Sequence, residues 1–404
     1  MAPVGVRTQP FAQALRNAGL PVRTLEELAA RELKWKAAIA DMVEQLLASC
    51  TSDQLAFLKD FIFKTPERIE EVRKLKQGSK EWAQARIGLV TMSNAGKFLG
   101  HNPYNADLEA SVQEAVFSTF TGNEYTKWGT EHEGEARDQY VSIERPKIAE
   151  LVRAARAAGR ATFTYSDRQF PVRLPADSKL PDTPEGWFYV THDGPTDGLS
   201  ISEDYNWLGC SPDGIIYIMG QAVGCLEIKC PAGKPLQCYV LSPCYYVDQV
   251  MGQMLFLNVT FCHFFVWTPT KWTMSKMEFD LDYCYGTVVR FLTELFFCKL
   301  LPLMTTHRDV VVAQVMSRAD REPLAPSTAT GTPAEEQKRI NMDLPDDERL
   351  QPTINRQSSL KRALQTTMRD HVSTLPKKQR KVATKKRAPV AAKKVVFVNQ
   401  MELP

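Results

Sequence analysis

Two short apolar runs, separated by a turn, carry charged residues where strands usually bury hydrocarbon. The first follows a Ser-Pro-Asp-Gly corner that contains Asp213, and the second is Cys225-Leu226-Glu227-Ile228-Lys229-Cys230. Because residues two apart on a strand share a face, Glu227 and Lys229 are expected to project together. A hairpin through a short connection at Met219–Val223 would bring Asp213 and Glu227 towards one end of a sheet.

Two carboxylates that converge in this way form an oxygen-ligand site for a hard divalent cation such as Mg²⁺ or Mn²⁺. A neighbouring lysine can orient a metal-bound water or help to deprotonate it. This is the apparatus that hydrolysis of a phosphodiester requires. A Glu-x-Lys tripeptide alone is expected about once by chance in a chain of this length, and Asp-Gly alone is usually a turn. The prediction therefore depends on their conjunction with two apolar strands.

The segment SPDG…LEIKCP resembles the PD-(D/E)XK nucleases, specifically the lambda-exonuclease-like, YqaJ-type viral recombinase group. Further segments resemble the group's other motifs in the same order along the chain. They are GSKEWAQARIGLVTMS (78–93), WGTEHEGEARDQY (128–140), YYVDQVMGQMLFLN (245–258) and the strand HFFVWTPTKW. The resemblance covers about 78–300, which is just over half of the chain.

Carried onto this chain, the resemblance implies a metal site and a site for the terminal phosphate of a DNA end. The implied metal ligands are Glu133, Asp213, Glu227 and the carbonyl of Ile228, with Lys229 as catalytic lysine and Gln249 near the attacking water. The implied phosphate contacts are Arg86, Ser93 and Ser211. The family often has a second glutamine two residues after the first, where this chain has Met251, and Gln253 follows two residues later.

The elements that would position these residues follow from periodicity and capping. Helices are predicted at about 24–50, 52–63, 65–76, 107–120, 129–144 (stopped by Pro146), 244–258 and 283–299. Strands are predicted at IIYIM, CLEIKC, TFCHFFVWT and WTMSKMEFD. The predicted fold is an α/β, restriction-endonuclease-like mixed sheet flanked by helices. Its predicted divisions are a helical N-terminal extension (1–77), an exonuclease domain (78–305), and a linker with a disordered basic tail (306–404).

Charge is distributed unevenly along the 404 residues. Residues 361–394 contain twelve Lys and Arg and one acidic residue, so they carry +11. The whole chain is at +3 and only Glu402 is charged beyond that segment, which leaves −7 on residues 1–360. The basic clusters Lys377–Lys381 and Lys385–Arg387 are typical of nuclear localisation signals. The same tail predicts non-specific DNA affinity through counterion release.

Composition excludes some classes of protein. The chain has no run of about 18 uncharged apolar residues and no apolar signal segment near its beginning. We therefore expect an intracellular protein with no membrane partner. The basic tail predicts the nucleus of a eukaryotic host, and the alternative is the cytoplasm. The predicted activity is Mg²⁺- or Mn²⁺-dependent exonuclease action on double-stranded DNA ends, for recombination or viral genome processing. A single-strand annealing protein and a homo-oligomer stay open as partners. The alternatives are a structure-specific endonuclease on the same core and a non-catalytic DNA-binding or packaging protein.

Overall fold

The computed structural model describes residues 22–102, 107–117, 122–165, 170–174, 183–191, 198–233, 243–319 and 396–402. The helices are α1 Val22–Ala48, α2 Ser52–Phe57, α3 Pro66–Arg73, α4 Lys80–Ala85, α5 Ala95–Phe98, α6 Leu108–Phe117, α7 Glu124–Ala157, α8 Pro184–Trp187, α9 Pro243–Leu257, α10 Leu281–Tyr283, α11 Arg290–Leu295, α12 Leu301–Thr306 and α13 Arg308–Ala319. Further helical turns lie at Leu58–Ile62, Met92–Asn94, Cys284–Val289 and Phe296–Leu300.

The strands are β1 Val90–Thr91, β2 Thr162–Tyr165, β3 Phe170–Arg173, β4 Phe188–Thr191, β5 Ser200–Ile201, β6 Leu208–Cys210, β7 Gly214–Ile218, β8 Gln221–Lys229, β9 Phe261–Thr268, β10 Lys271–Glu278 and β11 Val396–Glu402. The main sheet has the order β11-β10-β9-β8-β7-β4, and smaller sheets have the orders β1-β6-β5 and β2-β3. Strands β8 and β9 are parallel, whereas the other neighbours in the main sheet are antiparallel. The predicted mixed α/β architecture is confirmed.

The hairpin that carries the charged motif turns at Met219 and Gly220. Both residues have positive φ, 54° and 74°, which a two-residue hairpin connection requires. β7 and β8 are then paired from Ile218↔Gln221 to Gly214↔Leu226. The predicted hairpin is confirmed, with its second strand beginning at Gln221, before the predicted start.

Helices cover both faces of the main sheet. On the face that bears Cys225 and Phe264, α9 and the last helices pack in one hydrophobic cluster with residues of α1 and α2 such as Ile39 and Phe57. On the opposite face, α7 packs over Leu226 and Ile228. Glu227 is therefore only 1% exposed, although a charged strand residue is usually solvated.

The prediction that Pro146 ends a helix is wrong, because α7 continues through it to Ala157. Proline removes one helical hydrogen bond and costs roughly 3 kcal/mol in a helix interior. After it, Ile148, Ala149 and Val152 are buried against the sheet. Burial of each large aliphatic side chain contributes about 1.5–3 kcal/mol, so tertiary packing outweighs the local penalty.

The predicted assignment of residues 306–404 to a linker and a disordered basic tail is also wrong for two segments. Residues 308–319 form α13, in which Val311 is buried. Residues 396–402 pair with β10 in antiparallel register, from Lys271↔Glu402 to Lys276↔Val396. The sequence Val-Val-Phe-Val is rich in residues that favour strands, and the pairing satisfies the edge of β10. Residues 320–395, with the basic segment, lie outside the described residues.

Among the described helices, none has the length and apolarity needed to cross a membrane.

Candidate active site

Asp213 occupies the corner that leads into β7. Its Oδ2 accepts a hydrogen bond of 2.7 Å from the backbone N–H of Ile228 on β8, so the corner is fastened to the neighbouring strand. Gly214 follows it because a Cβ at that position would lie 2.5 Å from Cγ1 of Val190. The Asp-Gly pair thus serves the close approach of β4 to β7 as well as the turn. The structure shows the N–H of Ile228 at the site, whereas the metal-ligand role of its carbonyl stays a prediction.

The carboxylate of Glu227 is held by three donors. Its Oε1 accepts from Lys229 Nζ and, at 2.7 Å, from Gln249 Nε2. Its Oε2 accepts from Gln253 Nε2 at 2.7 Å. Gln249 and Gln253 lie one helical turn apart on α9, so they project from the same side of the helix. The structure therefore brings together the predicted Glu227, Lys229 and Gln249, and it adds Gln253, to which the sequence assigned no role.

Glu133 reaches the site from α7. It forms an ion pair with Arg137, which lies four residues later on the same helix. Arg137 is buried, and its Nε donates to the carbonyl of Asp213 at 3.2 Å. Arg137 thus connects Glu133 to the corner, a role that the sequence did not predict. The sequence signal for their ion pair is the four-residue spacing of Glu133 and Arg137, which makes them neighbours on the surface of a helix.

The acids of the site influence one another electrostatically. Burial, the charge of Glu227 and the charge of Glu133 raise the pKa of Asp213 well above its usual range, against the opposing effect of Lys229. Burial by itself lowers the pKa of Lys229, but Glu227 and Asp213 outweigh it and raise that pKa overall. Lys229 is therefore held as an ammonium ion, so in the metal-free protein it acts as a cation rather than as a proton acceptor.

The donor chemistry of this site fits a hard divalent cation. Asp213 and Glu227 provide carboxylate oxygens, and a cation would relieve the mutual repulsion that adds to burial in raising the pKa of Asp213. Within the described residues, no group of three or more His, Cys, Asp or Glu side chains is arranged to hold a metal ion. Glu133, the third predicted acid, is paired with Arg137 instead. Asp213 and Glu227 are thus the pair that best fits Mg²⁺ or Mn²⁺, and the full ligand set stays a prediction.

We predict that Asp213→Asn stabilises the metal-free protein at neutral pH. The carboxyl of the folded protein keeps its proton at pH values above about 3.9, where the carboxyl of the unfolded chain has lost it. Between the unfolded and the folded pKa, the wild-type protein therefore loses up to about 1.4 kcal/mol of stability per pH unit as pH rises. Asparagine removes this loss, and its amide oxygen can still accept from Ile228. Urea unfolding from pH 4 to pH 8 should show that the stability of the variant relative to wild type increases as pH rises.

The matched control for that experiment is Asp138→Asn, since Asp138 is an exposed residue of α7. It should shift stability little at any pH. Added Mg²⁺ should stabilise wild type but not Asp213→Asn, because a ligand stabilises only the form that binds it. A stability difference that is independent of pH would contradict the assigned electrostatics.

The three predicted phosphate contacts lie close to one another. Nη2 of Arg86 is 3.5 Å from the hydroxyl oxygens of both Thr91 and Ser93. The guanidinium lies over the ring of Trp82, 4.2 Å from its centroid, and Nε1 of Trp82 donates to the hydroxyl of Ser211 at 3.0 Å. Trp82 therefore joins Arg86 to Ser211, next to the Asp213 corner. The sequence did not predict this bridging role.

Met251 does not take the place of the family's second glutamine at the carboxylates. It is buried, and its sulfur accepts a hydrogen bond from the backbone N–H of Asp280 at 3.4 Å. This contact directs it towards α10, whereas Gln249 and Gln253 face Glu227. The replacement of the family's second glutamine by Met251 put a polar contact in question. Gln253 makes that contact, with Glu227.

Residues 188–260 match the family model of the YqaJ-like viral recombinase domain. This segment extends from β4 to the end of α9, so it contains Asp213, Glu227, Lys229 and both glutamines. The resemblance drawn from the sequence is confirmed over these residues. No curated protein matches the chain.

Two solved structures align with the chain. The crystal structure of an alkaline exonuclease, LHK-Exo, from Laribacter hongkongensis is 20% identical in sequence, with a TM-score of 0.38. The same enzyme in complex with dAMP is also 20% identical, with a TM-score of 0.35. Each alignment covers 59% of this chain and 100% of the other.

Proposed function

We propose that the protein is a Mg²⁺- or Mn²⁺-dependent DNA exonuclease of the PD-(D/E)XK type, acting on duplex ends to make single strands for recombination or viral genome processing. The observation that carries the proposal is the meeting of Asp213, Glu227 and Lys229 at one end of a buried sheet. A structural ion pair between Glu227 and Lys229 would not need a further carboxylate, Asp213, beside it. Burial and then the charge of Glu227 raise the pKa of Asp213. The match to the viral recombinase domain supports the same function.

The described residues divide the chemical work. A bound divalent cation would acidify a water molecule and stabilise negative charge on the phosphate. Asp213 and Glu227 would hold that cation, and Lys229, kept charged by both, would stabilise developing negative charge. Gln249, which donates to Glu227, would help to orient the attacking water. Glu133, which is paired with Arg137, would be the third carboxylate available to hold the cation.

Arg86, Ser93 and Ser211 would receive the terminal phosphate of the strand. A guanidinium offers bidentate, charge-assisted contacts to phosphate, and its stacking on Trp82 restricts its rotation. Because these side chains lie beside the Asp213 corner, a terminal phosphate held by them would place the adjacent phosphodiester near the carboxylates. The proposal extends to location in a host nucleus, through the basic segment, and to an annealing protein or further copies of the chain as partners.

We predict that Arg86→Ala removes a preference for 5′-phosphorylated ends. Hydrogen bonds to charged groups contribute about 1.5–3 kcal/mol, so wild type should degrade 5′-phosphorylated linear duplex roughly 10- to 100-fold faster than 5′-hydroxyl duplex. The variant should degrade both at the slower rate. The measurement is digestion of end-labelled linear duplex with Mg²⁺, with closed circular duplex as a second substrate.

Arg153→Ala is the matched control, because Arg153 also lies over a tryptophan ring, that of Trp187, but on the exposed side of α7. It should keep the end preference. Equal rates on both linear substrates, or efficient cutting of closed circles, would favour the endonuclease alternative. Binding without any metal-dependent hydrolysis would favour the non-catalytic alternative.

A further inference from the structure

Gln253 is the residue of this site that the family motif does not account for. It is 1% exposed, and it lies four residues after Gln249 on α9. Its Nε2 donates to Oε2 of Glu227 at 2.7 Å. In this chain the second amide of the helix therefore reaches the glutamate from 253, while Met251 packs elsewhere.

The three contacts of Glu227 are distributed unequally between its oxygens. Oε1 accepts from both Lys229 and Gln249, whereas Oε2 accepts from Gln253 alone within the described part of the chain. A carboxylate oxygen offers about two lone-pair directions. The contacts of Oε1 therefore use both of its directions, while one direction remains at Oε2. Gln253 occupies the other direction on Oε2, and so it determines which lone pair of Glu227 stays open.

The orientation of the Gln253 amide supports this role. Its Oε1 is buried and has no hydrogen-bond partner among the described residues. A rotated amide would direct that oxygen at the carboxylate of Glu227, where two acceptors would repel each other. This orientation keeps the donor on Glu227 and leaves Oε1 without a partner in the part of the chain that the structure describes. A glutamine at a purely structural position would be expected to use both ends of its amide.

We infer that Gln253 is a positioning residue for the metal site, which fixes the rotation of the Glu227 carboxylate and thereby sets the affinity for the divalent cation. This inference rests on the proposed function, since it assumes that Glu227 is a metal ligand. The role is transmitted through Glu227, because the contact of Gln253 is with that carboxylate. Partners that orient a metal ligand typically change metal affinity or activity by about 10- to 100-fold when they are removed.

The test is Mn²⁺ binding to the full chain, measured by electron paramagnetic resonance of the free ion and by calorimetry. Gln253→Met has a side chain of similar length and volume but cannot donate to Glu227. We expect its Kd for Mn²⁺ to rise by about 10- to 100-fold. The Mn²⁺ concentration for half-maximal cleavage should rise by the same factor, while the rate at saturating Mn²⁺ should return to near the wild-type value.

The matched control is Gln139→Met, which removes a glutamine hydrogen bond to Ser142 on α7, outside the site. It should bind Mn²⁺ as wild type does. If Gln253→Met does not fold, Gln253→Asn gives the same comparison, because its amide is one methylene too short to reach Glu227. Circular dichroism establishes that each variant is folded.

The possible results separate the inference from the proposed function. If wild type binds Mn²⁺ and cleaves DNA but Gln253→Met has an unchanged Kd, the inference is overturned and the proposed function stands. A folded variant that binds Mn²⁺ normally but stays slow at saturating metal also overturns it. If wild type itself neither binds Mn²⁺ nor cleaves, both are overturned.

Discussion

Glu227→Gln is expected to reduce DNA cleavage by more than about 100-fold, beyond the 10- to 100-fold effect of removing an outer partner of a metal ligand. The substitution removes one negative charge at nearly constant volume from the residue on which Lys229, Gln249 and Gln253 converge. The measurement is single-turnover cleavage of end-labelled linear duplex at saturating Mg²⁺. Glu131→Gln, at an exposed position of α7, is the matched control and should cleave as wild type does.

The same substitution should also lower the stability of the metal-free protein. Glu227 accepts from three donors, so the new amide N–H₂ would face at least one of them. A buried donor left without an acceptor costs about 1–3 kcal/mol, and Lys229 would lose its nearest counter-charge. Glu227→Gln and Asp213→Asn should therefore change stability in opposite directions at neutral pH, although both impair cleavage. Wild-type cleavage by a folded Glu227→Gln protein would show that the metal site is misassigned.

The core of the candidate site could be predicted because it depends on short-range structure. Asp213, Glu227 and Lys229 belong to one hairpin, whose register follows from strand alternation and a two-residue turn. The pattern did not indicate how the hairpin is covered. Glu227 and Lys229 were expected to share a face of the strand. The packing of α9 over this face could not be predicted, because it depends on contacts between residues that are distant in sequence.

Residues whose roles depend on tertiary contacts could not be assigned from the sequence. Trp82, which stacks on Arg86, contacts Ser211, 129 positions later. Arg137, which pairs with Glu133, contacts the Asp213 carbonyl, 76 positions later. Gln253 was visible only as a departure from a motif. For each of them, the local pattern is equally compatible with an ordinary surface or core residue, because spacing along one helix does not specify what lies opposite.

The errors in the predicted elements have the same origin. Pro146 is a strong local signal for a helix end, but the apolar face after it finds a sheet to pack against. The segment 396–402 follows a basic, low-complexity stretch, and it forms a strand because β10 offers an unpaired edge. At Pro146 a partner supplied by the fold overrides a local preference, whereas at 396–402 the partner completes a strand that the local residues favour.

Deleting residues 361–394 is expected to remove most of the salt dependence of DNA binding. Each Lys or Arg that neutralises a phosphate contributes about −0.9 to the slope of log K against log salt on duplex DNA. If roughly half of the +11 charge is engaged, the segment contributes a slope of order −5. Between 50 and 200 mM salt, such a slope corresponds to a loss of about 10³-fold in affinity. The measurement is fluorescence anisotropy of labelled duplex across that range.

The site described above lies wholly outside the deleted segment, so turnover at saturating DNA should survive the deletion. The deletion should be made in the full chain, because α1 and α2 share one hydrophobic cluster with the strands and helices of the site. A deletion of the same length, 320–353, is the matched control, since that segment holds four basic and eight acidic residues. It should leave the slope unchanged or make it steeper.

The same pair of deletions separates DNA binding from nuclear import. In eukaryotic cells, loss of 361–394 should move a fluorescent fusion from nucleus towards cytoplasm, because both basic clusters are removed, whereas loss of 320–353 should not. A shifted fusion with an unchanged salt slope would mean that the segment is a targeting signal alone. A flattened slope with lost hydrolysis at saturating DNA would mean that the segment contributes to catalysis, against the site assigned to Asp213, Glu227 and Lys229. Because the body carries −7, a +11 segment beside it would offset the repulsion that duplex DNA meets on approach.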